Sequence, residues 1–223
     1  QHFDDKMSKV FFQQFGFVPD VFLGIMQNGN RESQIENMKI ALERTFKEQR
    51  PDLVIAVGDV NSTAAAALAA SEMEIKLAHL ESGLRSFDKS MPEELNRIIT
   101  DDIADYFFVT EQSGMDNLIN EGKDRNRLFF VGNTMIDTMV AYEDDIESSN
   151  VLDKLKVEEK KFILVTMHRP ATVDSKEGLL KLIDLLKRFS SRYKIVFPVH
   201  PRTIKNLNDF GLSGLIEGTE GLI

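Results

Sequence analysis

The chain has 223 residues, enough for one large domain or for one domain and part of another, with 42% hydrophobic and 28% charged residues in the proportions of an ordinary globular protein. With no cysteine, disulfides, thiolate zinc sites and cysteine nucleophiles are excluded, and no run approaches the roughly 18 apolar residues of a membrane span. The net charge of −9, with acidic residues scattered, argues against a nucleic-acid surface but leaves room for a small anionic ligand held by local donors.

Residues 7–17 place Met7, Val10, Phe11, Phe12, Phe15 and Phe17 near helical spacing, with Ser8 as cap and Gly16 as stop, so a helix burying an aromatic face is expected. Residues 19–30 read as irregular. Residues 34–49 carry Ile35, Met38, Ala41, Leu42 and Phe46 on one side of an amphipathic helix. The apolar run 53–57 reads as a parallel strand covered on both faces. Gly58 and Asp59 turn the chain into an alanine-rich helix at 64–71 that Asn61, Ser62 or Thr63 can cap. Strands at 75–80, 106–109 and 128–131 then alternate with helices at 93–102, 111–121 and 135–142, the pattern of a doubly wound α/β sheet. The acidic stretch 143–160 reads as a linker or interdomain helix. A second unit follows, with strands at 162–167 and 195–199 and helices at 176–193 and 203–210. The organisation expected is a first domain over 1–145, a linker over 146–160 and the start of a second domain over 161–223. The polar opening and the closing EGTEGLI, which resembles the lead-in to a further element, suggest a fragment.

The chemistry concentrates at strand ends. Asp59 ends one apolar run and Glu81 follows the next, so both carboxylates should face the crevice outside the carboxyl ends of a parallel sheet. Asp59 could equally cap the helix after it. Glu93 and Glu94 follow Pro92 in a first helical turn, where the helix dipole alone would favour an acid. Arg85 could bind a substrate or pair with a nearby acid. Like charges in a partly desolvated cleft raise one another's pKa, which allows one carboxylate to serve as acid while another serves as base. His168–Arg169 and His200–Pro201–Arg202 follow the two strands of the second unit. Imidazole and guanidinium are good donors to phosphate oxygens, so a diphosphate-bearing ligand is expected there. A metal site is the competing use of the histidines, but no HExxH-like spacing supports it.

Several stretches together resemble the non-hydrolysing UDP-N-acetylglucosamine 2-epimerases: Gln1–His2, VGDVNST at 57–63, HLESGLRSFDKSMPEELNR at 79–97, FVTE at 108–111, VGNTMID at 131–137, VTMHRP at 165–170 and FPVHPRT at 197–203. The resemblance implies two Rossmann-like domains of the glycosyltransferase-B kind, both incomplete here, with substrate in the cleft between them. It implies reversible conversion of UDP-N-acetylglucosamine to UDP-N-acetylmannosamine, feeding surface-polysaccharide synthesis, by elimination and re-addition of UDP with exchange of the C2 proton. It implies no cofactor and no metal, a UDP-sugar as partner, no nucleic-acid or membrane partner, a homodimer and a cytoplasmic location. Carried over by motif, Asp59, Glu81, Glu93 and His168 are the catalytic candidates, and Arg85, Asn61, Ser62, Arg169, His200 and Arg202 the substrate contacts. Gln1, His2, Arg169 and His200 match a regulatory UDP-sugar site of bacterial members, although Pro170 stands here where many of those have Arg-Glu. Family members also have an opening strand with an arginine loop and a closing Ser-Gly-Gly segment, neither matched in this sequence, so the chain alone is expected to be inactive. Alternatives are an epimerase of a UDP-diacetamido uronic acid, a hydrolysing 2-epimerase and a non-catalytic UDP-sugar-binding protein.

Overall fold

The computed structural model describes residues 8–25 and 29–223. The chain divides between Ala141 and Tyr142 into two compact α/β units. The first contains α1 (Lys9–Phe15), α2 (Arg31–Gln49), β1 (Leu53–Val57), α3 (Asn61–Glu72), β2 (Lys76–Leu80), α4 (Pro92–Ile103), β3 (Tyr106–Val109), α5 (Gln112–Asn120), β4 (Leu128–Phe130) and α6 (Thr134–Ala141). Its four strands are parallel and ordered β1-β2-β3-β4, with Ile55 opposite Ala78, His79 opposite Phe107 and Phe108 opposite Phe129. This is the α/β class with parallel strands that the alternating pattern predicts.

The alanine run explains how α3 sits at the centre of this unit. Alanine is the best helix former and adds almost no bulk, so neighbouring backbones approach closely. Ala64, Ala65, Ala67, Ala69 and Ala70 are fully buried; Ala64 and Ala65 pack with Ile35 of α2, and the others join Phe46, Leu77, Phe107 and Val109 in the main core. Helix α2 starts three residues earlier than expected, because the Asn30 side chain accepts the Ser33 N–H at 3.0 Å.

Two expectations about burial fail. Strand β1 is covered on one face only: Val54 and Ala56 are buried while Leu53, Ile55 and Val57 stay exposed. No residue of α1 is buried either; Phe12 instead meets Phe17 and Phe22 edge-on at 5.3 and 6.4 Å. An apolar run or stripe shows what could be covered, and only the fold decides what covers it.

The second unit contains α7 (Glu143–Glu147), α8 (Val151–Leu155), β5 (Phe162–Leu164), α9 (Pro170–Val173), α10 (Lys176–Ser190), β6 (Lys194–Val196) and α11 (Pro201–Asp209). The stretch expected as a linker therefore holds two short helices and the buried Val157. Strands β5 and β6 pair in parallel, Ile163 opposite Ile195, and are shorter than predicted. The amphipathic face of α10 (Leu179, Leu182, Ile183, Leu186) packs on Ile195 and Phe197. Ile195 N–H donates to Gly221 O at 2.7 Å and Ile223 N–H to Ile195 O at 2.8 Å, so the closing residues run along β6 as a further parallel line. Among the described residues no helix is long and apolar enough to cross a membrane.

Candidate active site

In the first unit the site is built from the turns after β1 and β2 and the first turns of α4. Gly58, at φ 69°, takes a left-handed turn that glycine adopts at little cost, and its N–H donates to Leu80 O at 3.0 Å. Asp59 follows. Its carboxylate does not cap α3, whose N-cap is Val60 with no side-chain bond. Instead Asp59 Oδ2 accepts from Arg97 Nε at 3.0 Å and Nη2 at 2.6 Å. The same guanidinium donates from Nη1 to Glu94 Oε2 at 3.0 Å. Arg97 thus stands between two carboxylates, one on each side.

Glu94 and Glu93, adjacent in sequence, have different surroundings. Glu94 is 1% exposed and accepts from Ser86 N–H at 2.8 Å, Ser86 Oγ at 3.1 Å and Phe87 N–H at 3.1 Å. Burial pushes its carboxyl upward, but the bonds from Ser86, Arg97 and Phe87 outweigh that and hold it below the usual range. It fastens the loop before α4. Glu93 is exposed, with no hydrogen bond to the described residues, one helical turn before Arg97 and so on the same face.

Glu81 has φ 70°, left-handed for a residue with a side chain, and its N–H and that of Ser82 both donate to Phe108 O, at 3.1 and 3.3 Å. Its Oε2 lies 4.0 Å from where a Cβ on Gly58 would stand, which brings it over the turn that carries Asp59. No described residue hydrogen-bonds its carboxylate. Non-glycine residues in this region cluster at functional sites, because the strain persists only where the surroundings impose it.

Arg85, expected either on substrate or paired with a nearby acid, is bonded within the first unit. Its side chain is 3% exposed, Nε and Nη2 fork onto Glu121 at 2.8 and 2.7 Å, and Nη1 bonds Asp101 Oδ2 at 2.7 Å and Leu84 O at 2.8 Å. All three of its nitrogens thus donate to protein acceptors. Asn61 is likewise engaged: it accepts from Asn96 Nδ2 at 3.1 Å and donates to Gln34 Oε1 at 3.3 Å. Asn96 also donates to Asp59 O at 2.8 Å and accepts from Arg31 Nη2 at 2.5 Å. Ser62 is partly exposed and its hydroxyl has no protein partner among the described residues.

In the second unit His168 and His200 follow adjacent parallel strands, and their rings stack with centroids 5.3 Å apart and 24° between planes. Pro170 and Pro201 open the helices that follow, with Arg169 and His200 as N-caps; His200 Nδ1 accepts the Arg202 N–H at 3.1 Å. Arg169 is exposed, and its guanidinium has no hydrogen-bond partner among the described residues. Arg202, expected on substrate, is forked onto Asp174, with Nε 2.7 Å from Oδ1. That bond above all holds the Asp174 carboxyl below its usual range. Gln1 and His2 lie outside the described residues. Among the described residues no group of three or more His, Asp or Glu side chains could hold a metal ion.

A family profile described as UDP-N-acetylglucosamine 2-epimerase matches residues 1–217. The chain belongs to this family. A UDP-N-acetylglucosamine 2-epimerase of Methanococcus maripaludis is 38% identical over 97% of this chain and 61% of its own length. A UDP-2,3-diacetamido-2,3-dideoxy-D-glucuronate 2-epimerase of Pseudomonas aeruginosa is 37% identical over 95% of this chain and 60% of its own length. The solved UDP-GlcNAc 2-epimerase of Methanocaldococcus jannaschii, in complex with UDP-GlcNAc and UDP, superposes with a TM-score of 0.89 at 34% identity, over 99% of this chain and 62% of that one. The chain thus has the epimerase fold and spans about three-fifths of the length of these relatives.

Proposed function

We propose that the full protein interconverts UDP-N-acetylglucosamine and UDP-N-acetylmannosamine by removing the C2 proton from one face of the sugar and returning a proton to the other. Breaking C2–H and the C1–O bond to UDP forms a C1=C2 glycal; re-addition of UDP with protonation at C2 reverses both steps. The scheme moves a proton and a leaving group but no net electrons, so it requires no redox cofactor. One carboxylate cannot easily serve both faces of a ring carbon, so at least two are needed. Glu81, Asp59 and Glu93 are assigned to proton transfer, and His168, with Arg169, to the diphosphate.

The observation that carries this reading is Glu81: an unbonded carboxylate on a left-handed backbone, over the turn that bears the Arg97-held Asp59. Family membership supplies the reaction class. The test is incubation of the full protein with UDP-N-acetylglucosamine in deuterated water. Deuterium at C2 of UDP-sugar recovered intact supports the proposal; free N-acetylmannosamine with UDP, or binding without exchange, refutes it.

A second substrate deserves the same assay, because the Pseudomonas aeruginosa relative is as similar to the chain as the Methanococcus one. Faster exchange into a UDP-2,3-diacetamido uronic acid would reassign the sugar and leave the chemistry intact. The homodimer and the cytoplasmic location belong to the same proposal; sedimentation of the full protein and fractionation of its cells test them.

A further inference from the structure

We propose that His79 is a positioning residue that sets the separation of the Asp59 and Glu81 carboxylates by clamping the turns that carry them. The inference rests on the reading of those two carboxylates as the proton-moving groups. His79 lies in β2, two residues before Glu81, and is fully buried, so it reaches no ligand. Its Nε2 is 2.9 Å from Gly58 O and its Nδ1 is 2.6 Å from Asp101 Oδ1. A carbonyl oxygen only accepts, so Nε2 donates to Gly58. With its N–H on Leu80 O, the residue before Asp59 is therefore held at both its donor and its acceptor by β2 or its side chain.

The other end of the clamp reaches the second turn. Asp101 Oδ2 accepts the Gly83 N–H at 3.1 Å and Arg85 Nη1 at 2.7 Å. Gly83 is itself wedged in place, since a Cβ there would stand 2.3 Å from Gly114 O. Gly58 precedes Asp59 and Gly83 follows Glu81 by two residues, so one imidazole and one carboxylate tie together the turns bearing both acids. A left-handed glutamate costs on the order of 1 kcal/mol or more, and a frame of this kind is what lets it persist.

The alternative is that His79 only stabilises the core, and two isosteric variants separate the two roles. In His79→Asn the side-chain amide replaces Nδ1 and keeps Asp101 while releasing the Gly58 carbonyl. In His79→Gln it replaces Nε2 and keeps Gly58. Positioning predicts that His79→Asn and His79→Gln, each cutting one end of the clamp, both lower kcat for C2 deuterium exchange by about tenfold or more with KM within about twofold. Hydrogen exchange at the Gly58 amide should speed up in the Asn variant and not in the Gln variant. A kcat within about threefold of the parent in either variant, or equal exchange of the Gly58 amide in the two, overturns the proposal. Should the Asn variant not fold, the Gln variant decides alone: a kcat within about threefold of the parent overturns the clamp. If the parent protein shows no C2 exchange, the assigned reaction is what has failed, and the Gly58 amide still tests the clamp.

Discussion

Asp101→Asn tests the frame of the first unit most directly. Asp101 is fully buried and accepts from His79 Nδ1 at 2.6 Å, Arg85 Nη1 at 2.7 Å and Gly83 N–H at 3.1 Å. An asparagine has the same shape but no charge: its N–H can meet Nδ1 of a neutral His79 and its oxygen can keep Gly83 and Arg85, so what is lost is the buried negative charge opposite Arg85. Removing one partner of a buried charge pair costs about 3–5 kcal/mol. Arg85 keeps its fork onto Glu121, so its charge is not stranded and the lower end, about 3 kcal/mol, is expected. For a chain of this size that is roughly a 10 °C fall in Tm. Urea unfolding followed by far-ultraviolet circular dichroism should show a lower midpoint at unchanged slope. Acid adds a second check. Burial opposes ionisation of Asp101, but the His79 bond and the charges of His79 and Arg85 outweigh it and depress the folded pKa below the unfolded value. The stabilisation is then fully present above about pH 4 and lost as pH falls through the folded value, so parent and variant should converge in acid. A loss below about 1 kcal/mol at neutral pH, within the range of an ordinary neutral hydrogen bond, would show that this network holds nothing in place.

Glu81→Gln should abolish C2 exchange while leaving UDP-sugar affinity within about twofold, by calorimetry; unchanged exchange would remove Glu81 from the chemistry. His168→Ala should weaken UDP-sugar binding by about tenfold, roughly one charge-assisted bond, and an unaltered affinity would make the residue structural. Glu94→Ala should cost about 1–2 kcal/mol, since water can replace its bonds to the exposed Ser86 and Phe87 amides. The same variant should open the loop before α4 to limited proteolysis, and equal cleavage rates would mean that Glu94 does not fasten it.

Much of the fold could be read because its signals are local. The strand–helix alternation, the alanine run of α3 and Pro92 at the head of α4 are each written in adjacent residues. Asn30 is the same kind of signal for α2, in the run Asn30-Arg31-Glu32-Ser33, but the apolar stripe that marks the helix begins only at Ile35. The exposed faces of β1 and α1 could not be read, since coverage depends on elements distant in sequence. The site was legible only in part. Strand-end positions single out Asp59, Glu81, His168 and His200 as candidates, while nothing local in the sequence marks Arg97, His79 and Asp101, which bond Asp59, Gly58 and Gly83. Arg97 lies on α4, 38 residues from its partner Asp59, and His79 sits inside a strand pattern where a polar residue draws little notice.

What separates these carboxylates is therefore their donors, not their spacing. Glu94 receives backbone N–H groups and an arginine, Asp101 a histidine, an arginine and an amide, and Asp174 the Arg202 fork; each holds the fold. Glu81 and Glu93 receive none among the described residues, and Asp59 only through one oxygen. A carboxylate that already accepts several strong bonds gains little from a proton and is a poor vehicle for one. One without partners can take a proton from a substrate and give it back without dismantling anything. On the proposed reading, the residues that do the chemistry are the ones the frame leaves unbonded, and the buried set around Asp101 holds the turns on either side of Glu81.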